Sequence, residues 1–352
     1  QLGPCTGASA WVLGLSGGLD SMALLEALTQ LRQQHSLPPL SAIHIHHGLS
    51  AEADAWAQFC VDECAARDVP LRVIRVQLPA GASIEDAARQ ARYEAFTTVL
   101  PPNAVLLLAH HADDQLETLL FRMLRGTGLR GLAGMPQQRQ LAEGSLFRPL
   151  LSWSRVQVQQ WAHGQGLRWI EDPANQDGRF ARTALRHQLL PTLREGWSAV
   201  DQNLLRLAAH ASEANELLDE RAEQDLAAVA TPLADGWLTG WRSLDVDTLC
   251  DLSPARQRNL LRYWLSAQGA LLPSTRRLDA WSSQLNAAGD SQPQLGLDEC
   301  RLYRSTGRIW FVPGDWPQSG TPEALTGHSL QRLSAGNGCL HLSALPAVGG
   351  AW

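Results

Sequence analysis

The sequence predicts an α/β protein: a doubly wound parallel sheet in the N-terminal part, followed by a smaller, mainly helical domain. Three observations lead there. Short apolar runs alternate with helical patterns from residue 11 to about residue 175, as they do when parallel strands are joined by crossover helices. A glycine turn, Ser16-Gly17-Gly18-Leu19-Asp20-Ser21, links the first apolar run to the first helical pattern. Beyond Pro191 the strand pattern stops, and leucines and alanines recur at helical spacing.

Taken in order, residues 11–15 are an apolar run short enough for a buried strand. Met22-Ala23-Leu24-Leu25-Glu26-Ala27-Leu28 then has helical periodicity, and a helix is expected over 21–34. Further strands are expected at 40–46, 71–76, 105–109 and 167–170, with helices at 51–67, 84–100, 113–124 and 153–165 between them. Residues 201–229 read as a long connecting helix. Residues 231–312 are expected to be mainly helical through Trp264 and to end in a hairpin, 301–304 against 308–312. The expected domains are 1–195, nucleotide-binding and catalytic; 196–230, a linker helix; 231–312, substrate-binding; and 313–352, an irregular tail rich in Gly and Pro.

Bulk properties narrow the function classes. With 352 residues, 45% hydrophobic and 18% charged, the chain is globular. No run approaches the roughly 20 apolar residues of a membrane span, and the first residues lack a charged segment with an apolar core. A cytoplasmic protein with no membrane partner is expected. The six cysteines include no C-x-x-C pair, which argues against zinc, iron–sulfur and thioredoxin-like sites. Cys60 and Cys64, one helical turn apart, read as core-facing thiols. A net charge of −6 gives no general attraction for nucleic acid, so RNA contact would depend on local arginine clusters. All of the Lys+Arg residues are arginine.

Four groups of residues carry chemistry. In the glycine turn, Gly17 and Gly18 let backbone N–H groups converge at a helix N-terminus, which suits phosphate, and Ser16 and Ser21 add hydroxyls. Asp20 would repel a bare phosphate but fits a divalent cation that travels with a nucleotide. The turn is not a Walker A loop, which requires a lysine. In the second group, Ile43-His44-Ile45-His46-His47-Gly48-Leu49-Ser50, alternation puts His44 and His46 on one side and His47 on the other. That makes a metal site the minority reading; His46 beside the glycine is the candidate nucleotide contact.

The third group, His110-His111-Ala112-Asp113-Asp114-Gln115-Leu116-Glu117-Thr118, follows the strand at 105–109 and faces the same sheet edge as the glycine turn. Acidic residues in a first helical turn are ordinary dipole partners, which accounts for one or two of them. Asp114 and Glu117 share a helix face and could bind an amine, hold Mg²⁺ or accept a proton. The helix runs on into Arg122-Met123-Leu124-Arg125-Gly126-Thr127-Gly128-Leu129-Arg130, where Arg122, Arg125 and Arg130 are candidates for phosphate or RNA contact. In the fourth group, Arg179, Arg182 and Arg186 recur at i, i+3 and i+7, a basic stripe suited to guiding a polyanion.

The glycine turn resembles the PP-loop of the ATP pyrophosphatase superfamily, whose members transfer AMP to an oxygen and release pyrophosphate. From Val12 to Pro191 the chain is similar, in order and spacing, to the tRNA(Ile)-lysidine synthetase family: SGGLDS, HIHHGLS, AARQARYEAF, AHHADDQLET, RGTGLRGLAGM and WIEDPANQDGRFAR each stand where that family has its motifs. The resemblance implies an adenine nucleotide α-hydrolase-like fold and a two-step ligation. ATP adenylates O2 of the wobble cytidine of tRNA(Ile) with a CAU anticodon, and free L-lysine then displaces AMP. It further implies that Ser16 to Ser21 hold pyrophosphate and Mg²⁺ with Asp20 as metal ligand. Asp114 and Glu117 would serve the lysine ammonium, Arg92 and His110 would stabilise negative charge, and residues 231–312 would bind tRNA. A homodimer is allowed. Departures are Arg182-Thr183 in place of Arg-Asn, Arg125 where lysine is common, and no basic acceptor-stem pattern after Val312, so either the tail is the start of a truncated C-terminal domain or tRNA discrimination is weaker or differently built. The alternatives are a PP-loop thiolase, which would need a cysteine pair or cluster, an ammonia-using PP-loop synthetase, and a silent tRNA-binding module.

Overall fold

The computed structural model describes residues 2–48, 50–77, 84–171, 181–230, 242–285, 293–298, 300–314, 330–332 and 339–341. It divides into two compact units, Gln1–Asn215 and Glu216–Trp352.

In the first unit, strands β1 (Trp11–Gly14), β2 (Leu40–His46), β3 (Leu71–Arg75) and β4 (Val105–Leu107) alternate with helices α1 (Leu19–Gln34), α2 (Ala53–Ala65), α3 (Ile84–Val99) and α4 (Ala112–Leu124). There follow α5 (Leu129–Leu132), a hairpin of β5 (Gln138–Leu141) and β6 (Gly144–Phe147), and α6 (Arg155–Gly164). Next come α7 (Ala181–Ala184), a π-helical turn (Leu185–Leu189) and α8 (Leu190–Gly196). Helix α9 (Val200–Val229) begins in this unit and ends in the next.

The sheet order is β3-β2-β1-β4-β6-β5. All neighbours are parallel except β5 against β6. Chain order reverses between β1 and β4, so the crevice at their carboxyl ends is the switch point where such sheets bind ligands. Strand alternation sends Trp11, Leu13 and Leu15 to one face, where they bury against Met22, Leu25 and Leu28 of α1. It sends Val12 to the other, with Ile43, Leu106 and Leu146 under Phe96 of α3.

One expected strand is corrected. Residues 167–170 are not in the sheet. The edge of β4 is taken by β6, and the 167–170 segment instead crosses the glycine turn, where the Ile170 N–H donates to the Gly17 carbonyl at 2.9 Å. The β5–β6 hairpin leaves no periodic signal in the sequence because Gln138-Arg139-Gln140 is an exposed polar edge without apolar alternation. Gly144 has no freedom to be anything larger, since a Cβ there would lie 2.4 Å from the Ala104 carbonyl oxygen.

The second unit has an antiparallel sheet, ordered β7-β10-β9-β8. Its elements are β7 (Ser243–Asp245), α10 (Val246–Cys250), α11 (Pro254–Ala267), α12 (Thr275–Ser282), β8 (Gln294–Leu297), β9 (Cys300–Ser305) and β10 (Arg308–Pro313). The expected hairpin is β9–β10. Leu260, Leu261, Trp264 and Leu265 of α11 bury against Leu302 and Ile309 of that hairpin. The short outer strands β7 and β8 give no periodic signal. In the tail, β11 (Leu330–Arg332) pairs antiparallel with β12 (Cys339–His341). No described helix is long and apolar enough to cross a membrane.

Candidate functional site

The site is built at the switch point, where a cavity of about 810 Å³ is lined by the ends of β1, β2 and β4 and by α1 and α3. Gly17 sits at φ 87°, a left-handed conformation that favours glycine. A Cβ there would also meet Ile170 Cδ1 at 2.5 Å. The turn is shaped by its own hydroxyls. The Ser21 hydroxyl donates to the Gly18 carbonyl at 2.9 Å, leaving Ser16 to donate to Ser21 Oγ at 3.1 Å. The N–H of Gly17 meets Ser21 Oγ at 3.1 Å, and that of Gly18 meets Ser16 Oγ at 3.3 Å. A phosphate oxygen can replace these hydroxyls on the same N–H groups, next to the unsatisfied first-turn donors of α1.

The acidic side is organised by His111, which the motif pattern does not single out from its neighbour His110. His111 is 2% exposed and caps α4. Its Nδ1 accepts the Asp114 N–H at 3.3 Å, while Asp114 Oδ2 accepts the His111 N–H at 3.0 Å. Its Nε2 lies 3.6 Å from Asp20 Oδ2 and 3.5 Å from Asp114 Oδ2. One imidazole therefore ties the glycine turn to the acid pair. Burial pulls the His111 pKa down, but the Asp20 contact and the charges of Asp114, Asp20 and Asp113 outweigh it, so the net shift is upward. Asp113 faces away from the pair, holding the Arg155 N–H at 2.8 Å and Arg194 at 2.7 Å.

Glu117 is 3% exposed, and its carboxylate is held by Arg186 through Nε at 2.5 Å and Nη2 at 3.0 Å. Arg186 Nη2 also reaches Asp114 at 3.4 Å. Arg186, expected in an RNA-facing stripe, has its guanidinium on the acid pair, carried there on the π-helical turn. Burial lifts the Glu117 pKa above the ordinary carboxylate value, with Arg186 offsetting part of the shift. Arg179 and the Arg182 side chain lie outside the described residues.

The opposite side is cationic. Arg89, Arg92, His47 and His110 line the cavity. Arg148, 2% exposed, stands behind His110 and donates from Nε to its Nδ1 at 3.3 Å. Tyr93 lies between two guanidinium groups, Arg89 at 5.2 Å and Arg139 at 5.0 Å from its ring centroid. Among the described residues, no carboxylate pairs with Arg89, Arg92, Arg139 or Arg148. Burial and the neighbouring arginines push His110 down to about 3, and burial with Arg92 pushes His47 down to about 4. Both rings are neutral near pH 7, so any stabilisation of negative charge by His110 would come from a neutral hydrogen-bond donor. Arg89 and Tyr93 stand one helical turn apart in the AARQARYEAF stretch beside Arg92, whereas Arg148 carries no motif signal, because it joins them only after β4 and β6 pair.

His46 lines the cavity, with its Nε2 3.1 Å from Asp54 Oδ1. His44 turns to the same α2 side, where its Nδ1 is 3.4 Å from Cys60 Sγ. His47 turns instead toward Arg92 of α3, at 3.4 Å. Among the described residues no cluster of three or more His, Cys, Asp or Glu could hold a metal unaided. Of the loop arginines, Arg122 points inward and donates to the carbonyls of Gly131 and Gly134 at 3.2 and 2.6 Å. Arg125 and Arg130 are exposed, with Arg125 5.1 Å over the Phe121 ring.

Comparison with known proteins gives two family matches, a PP-loop domain over residues 2–193 and a TilS substrate binding domain over residues 244–310. A tRNA(Ile)-lysidine synthase of Pseudomonas putida is 50% identical over 344 residues, covering 97% of this chain and 80% of that protein. One from Pseudomonas aeruginosa is 46% identical over 344 residues, covering 97% and 77%. One from Escherichia coli O157:H7 is 41% identical over 312 residues, covering 88% and 70%.

Proposed function

The chain belongs to the tRNA(Ile)-lysidine synthase family of ATP-dependent ligases, and from that premise we propose that it joins free L-lysine to C2 of the wobble cytidine of CAU-anticodon tRNA(Ile). The observation that supports this reading best is the coupling of Asp20 to Asp114 through His111 inside one cavity. It puts a phosphate loop and a cation-binding acid pair within reach of the same substrate.

In the first step the cytidine O2 attacks the α-phosphorus of ATP, an O–P bond forms and pyrophosphate leaves. The N–H groups of Gly17 and Gly18 and the start of α1 take the departing phosphates, while Arg92 and the neutral His110 N–H meet negative charge as it develops. Asp20 Oδ1 is buried with no hydrogen-bond partner. That orphan oxygen fits Mg²⁺, which takes one or two carboxylates together with substrate phosphates and supplies charge neutralisation there.

In the second step the ε-amine of lysine attacks C2, and AMP leaves with the O2 atom. The ammonium must first lose a proton. Glu117, with its raised pKa, is suited to accept that proton, and Asp114 holds the cation beside it. Because Arg186 occupies both carboxylates without substrate, lysine binding exchanges its ammonium for that guanidinium. Exposed Arg125 and Arg130 face RNA phosphates.

The test is incubation of the purified protein with ATP, labelled lysine and a CAU-anticodon tRNA(Ile) transcript. Label is expected in the RNA, with one pyrophosphate and one AMP per lysine; pyrophosphate release without label in RNA would overturn the assignment.

A further inference from the structure

Resting on the proposed ligation, we propose that Arg148 is a positioning residue that locks His110 as a neutral imidazole with its one proton on Nε2, aimed at the cavity. A guanidinium only donates, so the 3.3 Å contact from Arg148 Nε requires a lone pair on His110 Nδ1. The proton of a neutral ring must then sit on Nε2, its other polar atom, and His110 lines the cavity.

Arg148 is itself held. Its N–H donates to the Gln137 carbonyl at 2.9 Å, and its Nη1 donates to the Pro136 carbonyl at 2.7 Å. Burying a guanidinium with no carboxylate partner is expensive, and such sites tend to be functional. The groups facing His110 are Arg89 and Arg92 from α3, Arg148 following β6, and His111 beside it in the chain. The first three are cations, so a proton added to the ring would meet only repulsion from them. His110 is thereby kept as an N–H donor of fixed direction, and the reaction needs no proton from it.

The experiment is nitrogen NMR of the full chain carrying ring-labelled histidine, with His110→Gln assigning the resonance. Wild type is expected to show protonated Nε2 and bare Nδ1, unchanged from about pH 5 to 8. A proton on Nδ1, or titration within that range, would overturn the proposal whether or not the chain makes lysidine. Arg148→Met is expected to mix the tautomers and introduce a titration near about pH 6. Pyrophosphate release should fall about 10- to 100-fold in kcat with KM for ATP little changed, and a new acidic limb should enter its pH profile. Arg148→Lys, which can also only donate, should recover part of both. A purely structural Arg148 would lower the melting temperature while leaving tautomer and pH profile as in wild type, and that result would also overturn it. Should Arg148→Met not fold, the wild-type spectrum and Arg148→Lys decide.

Discussion

His110 and His111 are neighbours in the chain, yet the fold pushes their pKa values in opposite directions. His111 is buried among Asp20, Asp113 and Asp114, and the net effect is upward. His110 is buried among Arg148, Arg89 and Arg92 and falls to about 3. The two mark the boundary between walls that are balanced differently. On the acidic wall Arg186 holds Glu117 and Asp114, and His111 stands beside one oxygen of Asp20, whose other oxygen is left without a partner. On the cationic wall the arginines have no carboxylate partner among the described residues; Arg148 is held by neutral acceptors alone. A charge matched within the fold supports the fold; a set of like charges left without carboxylates suits a ligand of opposite sign, which under the proposed function is the nucleotide phosphates.

The largest effect should come where the two functions meet. Asp20→Ala is expected to cut pyrophosphate release by on the order of 10³-fold or more, roughly 4 kcal/mol of barrier, with circular dichroism unchanged. Glu117→Ala should instead separate the steps. Adenylation persists, lysine use falls about 100-fold, and stability drops by about 3–5 kcal/mol because Arg186 is left half-buried beside Asp114 alone. Adding Arg186→Met to that variant should return much of the stability in a chemical-denaturation series. Equal loss of both chemical steps in Glu117→Ala would show that the acid wall is not specific to the amine.

The cationic wall should respond the other way. Arg92→Met is expected to slow adenylation about 10- to 100-fold while leaving the melting temperature unchanged or slightly higher, since it removes a charge repelled by its neighbours. A clear loss of stability would mean that the wall is matched by something internal after all.

Acid stability tests the same contrast. His110 and His47 have folded pKa values of about 3 and about 4 against an unfolded value near 6.5. Between those limits the unfolded chain binds more protons, so stability must fall as pH drops below about 6.5, by up to about 1.4 kcal/mol per pH unit for each such ring. His111, shifted upward, contributes the opposite slope: its stabilisation is complete below the unfolded pKa and lost as pH rises through the folded one. Denaturation midpoints of His110→Gln should therefore show a flatter acid limb than wild type. An unchanged limb would place His110 in contact with water rather than among cations.

The glycine turn, the acid pair and the strand–helix alternation are legible in the amino-acid sequence because they are local patterns, each set by residues within one turn or one strand of one another. The switch-point crevice follows from chain order. What sequence does not carry is what depends on pairing at a distance. Arg148 reaches His110 only because β6 takes the free edge of β4, a place that the apolar segment at 167–170 would otherwise fit. Arg186 reads as one tooth of a solvent-facing stripe only while α-helical spacing runs through Leu185–Leu189, where the structure has a π-helical turn. His111 does not stand out because a cap and a catalytic histidine have the same sequence environment.

The smallest effects extend the comparison to the glycine loop after α4. Arg122 and Arg125 stand three residues apart, and residue type alone gives both the same standing. Arg122 is matched internally, by two carbonyls that hold Gly131 and Gly134. Arg125 is exposed, and its guanidinium stacks on Phe121 with its donors open to solvent. If internal matching separates fold from function, Arg125→Ala should weaken tRNA binding a few-fold and lower the salt slope by about 0.7–0.9, with no change in melting temperature. Arg122→Ala should do the reverse, losing about 1–3 kcal/mol of stability through carbonyls left without a donor and keeping the salt slope of wild type. Filter binding across a salt series, run beside thermal melts of both variants, reads the two quantities independently; an Arg122→Ala variant that lowers the salt slope while melting like wild type would break the rule at the place where it is easiest to apply.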